Sequence, residues 1–460
     1  MSIRRPRSLL LCAAFAAVAS LGAAAPSPAA AAAAADGDGD GESAYRPGEV
    51  IVRYAPGVDR AARAATQRAT RTEHPEAFAP RSRTLQVRDG QTVNGAIRAL
   101  RRRPGVSSAT PNYLARVSAY LPDDPGPAGV PGGWAQTQWN FLPGTGVDAP
   151  VAWEQLIAAG RPGGRGVTVA VLDTGLAYAD RGRFRQSPDF SRSRLRRGYD
   201  FVANDPYPND QNGHGTHVAS TIGESTGNGR GLTGLAYGAT IMPVRVLDSA
   251  GVGDIDDIAR GIRFAVRNGA KIVNLSFEFD GKLTGGSIPG IIDALRYARS
   301  RDVLVIGASG NASARAVAYP ARSSLVVSVG ATTEHGCQAD YSNSGSGLDI
   351  AAPGGGADAE IPGNPSCRPQ EPPGRPIFQL TFDGSVRRFG FPSIYTGTSM
   401  ASPHVSAVAA LVVASRVIGR DPSPAAIAAR LKATATDLGT PGVDGRYGAG
   451  LLNAARATAP

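Results

Sequence analysis

Four short stretches of this 460-residue chain carry side chains that could do chemistry together. VTVAVLDTG ends an apolar run on Asp173, and NGHGTHVAS opens a helical pattern with His214 and His217. VIGASGN ends a second apolar run at Gly310 and Asn311, and GTSMASP sets Ser399 at the head of an Ala/Val-rich segment reaching Val412. A serine hydroxyl is a poor nucleophile until a base removes its proton. Histidine suits that task near neutral pH. A carboxylate can fix the imidazole tautomer and stabilise the imidazolium, and a side-chain amide can donate to a developing oxyanion. Each residue also has a plainer reading: Ser399 as a helix cap, Asp173 as a solvated acid at a strand end, Asn311 as a turn residue. His214 and His217 could be read as a metal pair, but H-x-x-H here lacks a nearby third ligand and a Glu base. His404 reads as a packed histidine on the helix of Ser399.

The elements around these stretches decide between the readings. From about residue 145, short apolar runs alternate with helical periods. The runs are VTVAVL (167–172), TIMPVRVL (240–247), KIVNLSF (271–277), VLVIGAS (303–309) and SLVVSVGA (324–331). None alternates polar with apolar, as expected of strands buried on both faces. Ile255, Ile258, Ile262 and Val266 recur at helical spacing, as do Ile291, Leu295 and Ala298. Alternating strands and helices predict an α/β fold, a doubly wound and mostly parallel sheet with helices on both faces. Ligands bind such sheets at the carboxyl ends of the strands, where all four stretches lie.

Ahead of this region the chain reads as a signal peptide at 1–25, with three Arg before an apolar run and Ala-x-Ala sites after it. A flexible Ala/Gly/Asp linker follows at 26–43. A small α+β unit at 44–119 contains three predicted strands, GEVIVRY, RTLQVRD and VSSATPNYLARV, and two helices. A Pro/Gly-rich connector, YLPDDPGPAGVPGG, then opens the large domain at 120–460. The net charge of +10 is not spread evenly: residues 44–117 hold +9, and the large domain is nearly neutral. A basic face without interleaved aromatics argues against nucleic acid as a partner. No segment after the signal reads as apolar enough to span a bilayer, so no membrane anchor is expected. Cys12 falls in the signal, and the remaining pair, Cys337 and Cys367, reads as one disulfide in an exported chain.

With its motifs in the order Asp, His, Asn, Ser, the sequence from 120 to 460 resembles the subtilisin-like serine proteases. The resemblance implies Ser399 as nucleophile, His214 as base, Asp173 as its orienter, and Asn311 with the Ser399 N–H as oxyanion hole, leaving His217 structural. It implies a secreted endopeptidase working through an acyl-enzyme, needing no cofactor for chemistry. An intact catalytic set argues against a non-catalytic binding protein on the same fold. A narrow processing protease acting on one partner differs in the openness of its cleft, which a Pro/Gly-rich insertion at 355–394 obscures. Substrate is expected as an added strand between Gly251-Val252-Gly253, with Ile255 beyond, and Ser276-Phe277-Glu278. The pocket for the residue before the scissile bond is expected to be walled by Gly307, Ala308, Ser309 and Gly310, with Ala318 at its base. The family carries Ser-Leu-Gly-Gly where this chain has Ser-Phe-Glu-Phe, so Glu278 narrows that pocket or attracts a basic side chain. Asp124, Asp189 and Asn228 match calcium-binding positions of relatives. The 44–119 unit, notably PGVSSATPNY, resembles the family's inhibitory propeptides, which implies self-cleavage between Ala119 and Tyr120 and a monomeric mature enzyme.

Overall fold

The computed structural model describes residues 45–88, 90–113 and 120–460. The expected signal, the linker and Ala119 lie outside the described residues. The chain divides into two compact units, Met1–Val117 and Ser118–Pro460.

In the first unit, β1 (Tyr45–Tyr54), β2 (Thr72–Ala79), β3 (Ser82–Val87) and β4 (Val106–Tyr113) form an antiparallel sheet of order β2-β3-β1-β4. Helices α1 (Arg60–Ala69) and α2 (Val93–Arg101) complete it. Asp59 caps α1 by accepting from the Ala62 N–H, and Thr92 caps α2 by accepting from the Gly95 N–H. Val50, Val52, Leu85, Ile97 and Leu100 form the core. Strand β2 lies outside the strands that the sequence predicts, because Thr72–Ala79 contains a proline and several charges. It lies at the sheet edge, where a missing N–H is tolerated, and its register with β3 shifts between Glu73 and Glu76.

The second unit begins with α3 (Trp134–Thr137) and α4 (Ala149–Ala158). Then follow β5 (Thr168–Asp173), β6 (Tyr199–Asp200), α5 (His214–Gly223), β7 (Thr240–Arg245), α6 (Ile255–Arg267) and β8 (Ile272–Leu275). The chain continues through α7 (Pro289–Ser300), β9 (Leu304–Ala308), β10 (Val327–Thr332) and β11 (Ile350–Pro353). A two-stranded hairpin, β12 (Thr381–Phe382) and β13 (Phe389–Gly390), precedes α8 (Thr398–Ser415), α9 (Pro424–Ala433) and α10 (Ala454–Thr458). Seven strands make one parallel sheet, β11-β10-β9-β8-β5-β7-β6. The two edge strands, β6 and β11, are too short to register as apolar runs in the sequence.

Burial on both faces explains the unbroken apolar runs. Val169 and Val171 of β5 pack into the core shared with α4, α5 and α8, whereas Ala170 and Leu172 pack into the core of α6 and α7. Helix α8 is apolar all round because the fold surrounds it. By length and composition it is long and apolar enough to cross a membrane, which corrects the expectation that no such segment follows the signal. It is 83% buried inside the unit and serves as a core helix.

The 355–394 insertion does not hang free. Its inner part lies on α5: the Ile377 carbonyl accepts from His217 Nε2 at 2.9 Å, and the Leu380 carbonyl accepts from Ser220 Oγ at 3.1 Å. Thr381 Oγ1 donates to the Gly213 carbonyl at 2.6 Å, and the Tyr395 ring just beyond stacks on His217 with centroids 4.1 Å apart. Its outer part is held by the Cys337–Cys367 disulfide, which closes a separation of 30 residues. Such a closure contributes about 3–4 kcal/mol in the chain-entropy account. Cys367→Ser should therefore lower the unfolding free energy by about that amount. A variant whose denaturation midpoint matches wild type would show that the packing on α5 already holds the insertion.

Candidate active site

The parallel strands end on one edge, and the four stretches meet there. Asp173 closes β5 and is fully buried. Its Oδ1 lies 2.7 Å from His214 Nδ1 and also accepts from the Thr174 N–H at 2.7 Å. With Nδ1 donating to the carboxylate, His214 Nε2 is left as the acceptor that a general base needs.

The start of α5 is fixed by Asp210, which the sequence reading passed over. Its fully buried carboxylate accepts from the N–H groups of Asn212, Gly213 and Thr216 and from the hydroxyls of Thr216 and Thr174. Thr174 Oγ1 in turn accepts from the Gly215 N–H at 2.9 Å. Acidic oxygens on the first-turn N–H groups suit a helix N-terminus, and an Asp four residues before His214 was the available signal. Gly215 permits the close approach: a Cβ there would sit 2.3 Å from the Gly175 carbonyl and 3.1 Å from Asp173 Cβ.

Ser399 is the second residue of α8. Pro403, four residues on, has no N–H to offer the Ser399 carbonyl, which accepts instead from Ser276 Oγ at 2.9 Å. In return Ser399 Oγ donates to the Ser276 carbonyl at 3.0 Å. The Ser399 hydroxyl thus rests against the end of β8 rather than on His214.

Asn311 follows β9 after Gly310, whose φ of 111° favours glycine. Its Oδ1 accepts from both the N–H and the hydroxyl of Thr398, at 2.8 and 2.9 Å. That pair fixes which end of the amide is which, and leaves Nδ2 as the free donor of a residue that lines the cleft. Asn343 braces the same loop, accepting from the Ala312 and Ala314 N–H groups and donating to the Ser309 carbonyl. Thr398 and Asn343 are further residues that the sequence reading did not single out.

A cleft of about 350 Å³ joins these groups. Of the expected substrate-binding residues, Gly251, Ser276, Phe277, Glu278 and Ala308 line it, together with His214, Asn311 and Ser399. Thr174, Asn212, Leu247, Ala250 and Thr398 line it as well. Val252 is exposed beside it, in a loop tied by Asp248, which accepts from the Ala250 and Val252 N–H groups. Gly253 backs onto the Val246 carbonyl, and Ile255 opens α6 at the surface. Ser309 is buried and turns its hydroxyl away, to the Asn343 carbonyl. Gly307 faces Val326 and Ala321, and Ala318 is buried with its N–H on the Ser309 carbonyl. Glu278 reaches across the cleft, and both its oxygens accept from the Asn311 backbone N–H, at 3.1 and 3.0 Å. Burial pushes the Glu278 carboxyl up, partly offset by those bonds.

Asp124, Asp189 and Asn228 come together away from the cleft. Asp124 accepts from the Gly227 and Asn228 N–H groups and from Thr233 Oγ1, and Asn228 Nδ2 donates to Asp189 Oδ1. Beside them sits Glu224, fully buried, another residue that the sequence reading did not name. Burial, with the charge of Asp124, pushes Asp189 up to about 7, and burial, with the charge of Asp189, pushes Glu224 well above the carboxylate range. Among the described residues no group of three or more His, Cys, Asp or Glu is arranged to hold a metal by side chains of those types alone.

The histidines have separate electrostatics. Burial lowers His217 to about 3 and His404 to about 4, so both stay neutral packing groups. Burial also pulls His214 down, but the charge of Asp173, its hydrogen bond and the charge of Asp210 together raise His214 above the ordinary imidazole value. A base works only when neutral, so activity should be lost as pH falls through that raised pKa. The acid limb of kcat/KM should therefore centre above about 6.5. A limb centred below about 6 would mean that burial outweighs Asp173.

The chain matches the subtilase family over residues 164–450 and the fervidolysin N-terminal prodomain over residues 30–112. Subtilisin Savinase of Lederbergia lenta is 38% identical over 299 residues, which cover 64% of this chain and 91% of that protein. M-protease of Shouchella clausii strain KSM-K16 is 38% identical over 299 residues, 64% of this chain and 65% of its own. A thermophilic serine proteinase of Bacillus sp. strain AK1 is 32% identical over 372 residues, 81% of this chain and 79% of its own. Among solved structures, a protease of Pseudoalteromonas arctica PAMC 21717 superposes with a TM-score of 0.57 at 30% identity, covering 74% of this chain and 99% of that one. The chain therefore belongs to the subtilase family of serine endopeptidases and carries an N-terminal prodomain of the fervidolysin type.

Proposed function

We propose that the protein is a secreted serine endopeptidase made as a self-processing zymogen, cleaving protein substrates through an acyl-enzyme. The observation that carries this reading is the Asp173–His214 pair, 2.7 Å apart, at the lip of the cleft that also holds Ser399 and Asn311. Substrate lies as an extra strand between Gly251–Gly253 and Ser276–Glu278. Ser399 Oγ turns from the Ser276 carbonyl to His214 Nε2, gives up its proton there and attacks the scissile carbonyl carbon. The carbonyl oxygen takes the electron pair and is met by Asn311 Nδ2 and the Ser399 N–H at the positive end of α8. Asp173 stabilises the imidazolium, which then protonates the leaving amine. Water, with His214 again as base, releases the acyl group. No cofactor takes part in these steps, and neither nucleic acid nor a membrane anchor is required by them. The mature enzyme works as a monomer.

Calcium belongs to this reading as a structural ion. Asp189 Oδ2 and both Glu224 oxygens are buried without a hydrogen-bond donor. Hard carboxylate oxygens left without donors in a buried site fit a hard cation. Of Asp124, Asp189 and Asn228, Asp189 offers such an oxygen directly, with Glu224 beside it, whereas Asp124 and Asn228 Oδ1 would first have to release the N–H groups they accept from. Without the ion, one of the facing carboxyls keeps its proton, as their raised pKa values allow. The ion would tie the 120–126 connector, which Asp124 fastens to the 227–233 loop, to the body of the domain. Chelation should then lower the melting temperature, and calcium should restore it without any metal entering catalysis. An unchanged melting curve for protein shown to be stripped of metal would remove calcium from the account.

The 44–119 unit acts as propeptide, aiding folding of a sheet rich in non-local contacts and inhibiting the cleft until it is cut. Ser399→Ala should accumulate an uncut precursor lacking its signal, while wild type yields a chain beginning at or within a few residues of Tyr120. Terminal sequencing of both proteins, expressed without other proteases, checks this. Normal maturation of the Ser399→Ala protein would rule out self-cleavage.

A further inference from the structure

Resting on the endopeptidase reading, we propose that Glu278 is a bar across the pocket beside Ser399. It restricts the residue before the scissile bond to a small side chain.

When the scissile carbonyl carbon meets Ser399 Oγ and its oxygen meets Asn311 Nδ2, the side chain of that residue must enter the space beside both groups. One wall of that space is Ser276–Glu278, leaving β8, and the other runs from Ala308 to Asn311, leaving β9. Glu278 starts on the first wall and ends on the second. Its two carboxylate oxygens accept from the Asn311 N–H, and Oε2 rests on Gly310 so closely that a Cβ there would lie 2.0 Å from it. A side chain at position 310 would evict the carboxylate, so the bar depends on that glycine.

Neither wall can retreat to make room. Ala308 is buried within the sheet, and Asn343 pins the loop on both sides of Asn311 through the Ser309 carbonyl and the Ala312 and Ala314 N–H groups. On the other wall, Ser276 is bound to Ser399 in both directions, and Phe277 packs edge-on to Phe279. A large side chain must therefore lift Glu278 off Asn311, breaking hydrogen bonds to an ionised group, which are among the stronger ones. Alanine, glycine or serine can enter with the bar in place. The stretch before Tyr120 ends in Ser118-Ala119, two small residues, at the place where the zymogen is proposed to be cut.

The test is a set of peptide substrates identical except for Ala, Phe or Arg before the scissile bond, read as kcat/KM. Wild type should favour Ala over Phe and Arg by about 10-fold or more, the range that pocket size alone commonly gives. Glu278→Gly should raise the Phe-to-Ala ratio by roughly 10- to 100-fold. Glu278 lies at the open mouth of the cleft, so this change removes no core contact; Glu278→Ala gives the same reading should the glycine variant fold poorly. Glu278→Gln keeps the length and an acceptor oxygen and should keep the wild-type order. An unchanged ratio in the glycine and alanine variants overturns the bar, as does a glutamine variant that behaves like glycine, or a wild type that favours Arg. A wild type that cleaves none of the three peptides, with Ser399→Ala indistinguishable from it, instead removes the endopeptidase reading and the bar with it.

Discussion

One buried carboxylate, Asp210, holds Asp173 and His214 together. Asp173 ends a strand and His214 begins a helix, 41 residues later in the chain. Nothing local to either residue brings their side chains to 2.7 Å. Asp210 does so by accepting from three N–H groups and a hydroxyl at the start of α5 and from Thr174 at the end of β5. A buried charge is costly unless its hydrogen bonds are made. With five donors it becomes a rigid joint, so the same bonds that satisfy the charge set the angle between strand and helix.

The second half of the site follows similar logic. Ser399 and Asn311 stand on different elements, and Thr398 joins them by giving both its donors to the Asn311 oxygen. Pro403 frees the Ser399 carbonyl for Ser276, which links the head of α8 to the end of β8. Ser399 and Asn311 are thus oriented by polar neighbours on other elements. The sheet supplies rigidity because both its faces are packed: Leu172, one residue before Asp173, is fully buried against α6 and α7 while Val171 packs toward α8. Strand ends set in such a core move little, and a site built on them keeps its geometry.

The insertion at 355–394 shows how a loop becomes part of the frame. Its backbone carbonyls take the donors of His217 and Ser220, and Tyr395 covers the His217 ring. His217 stays neutral because it is buried, so α5 carries one titrating histidine and one packing histidine three residues apart. The surrounding atoms, not the residue type, divide those roles.

The sequence by itself determined the parallel sheet, since strands packed on both faces must be apolar throughout, and VTVAVL or VLVIGAS can be nothing else in alternation with helices. It also singled out Asp173, His214, Asn311 and Ser399 as residue types that can work as a triad with an amide donor, because their order is distinctive. It could not show β2, which a proline disguises at a sheet edge, nor the short edge strands β6 and β11, which lack the length to form a pattern. It also could not show Asp210, Thr398, Asn343 or Glu224, whose roles rest on partners far along the chain. Glu278 marks the boundary most plainly. In sequence it is a departure at a pocket rim, able to narrow the pocket or to attract a cation. The tertiary structure sets it on the Asn311 N–H and over Gly310, because two walls separated by more than thirty residues close to within reach of one side chain.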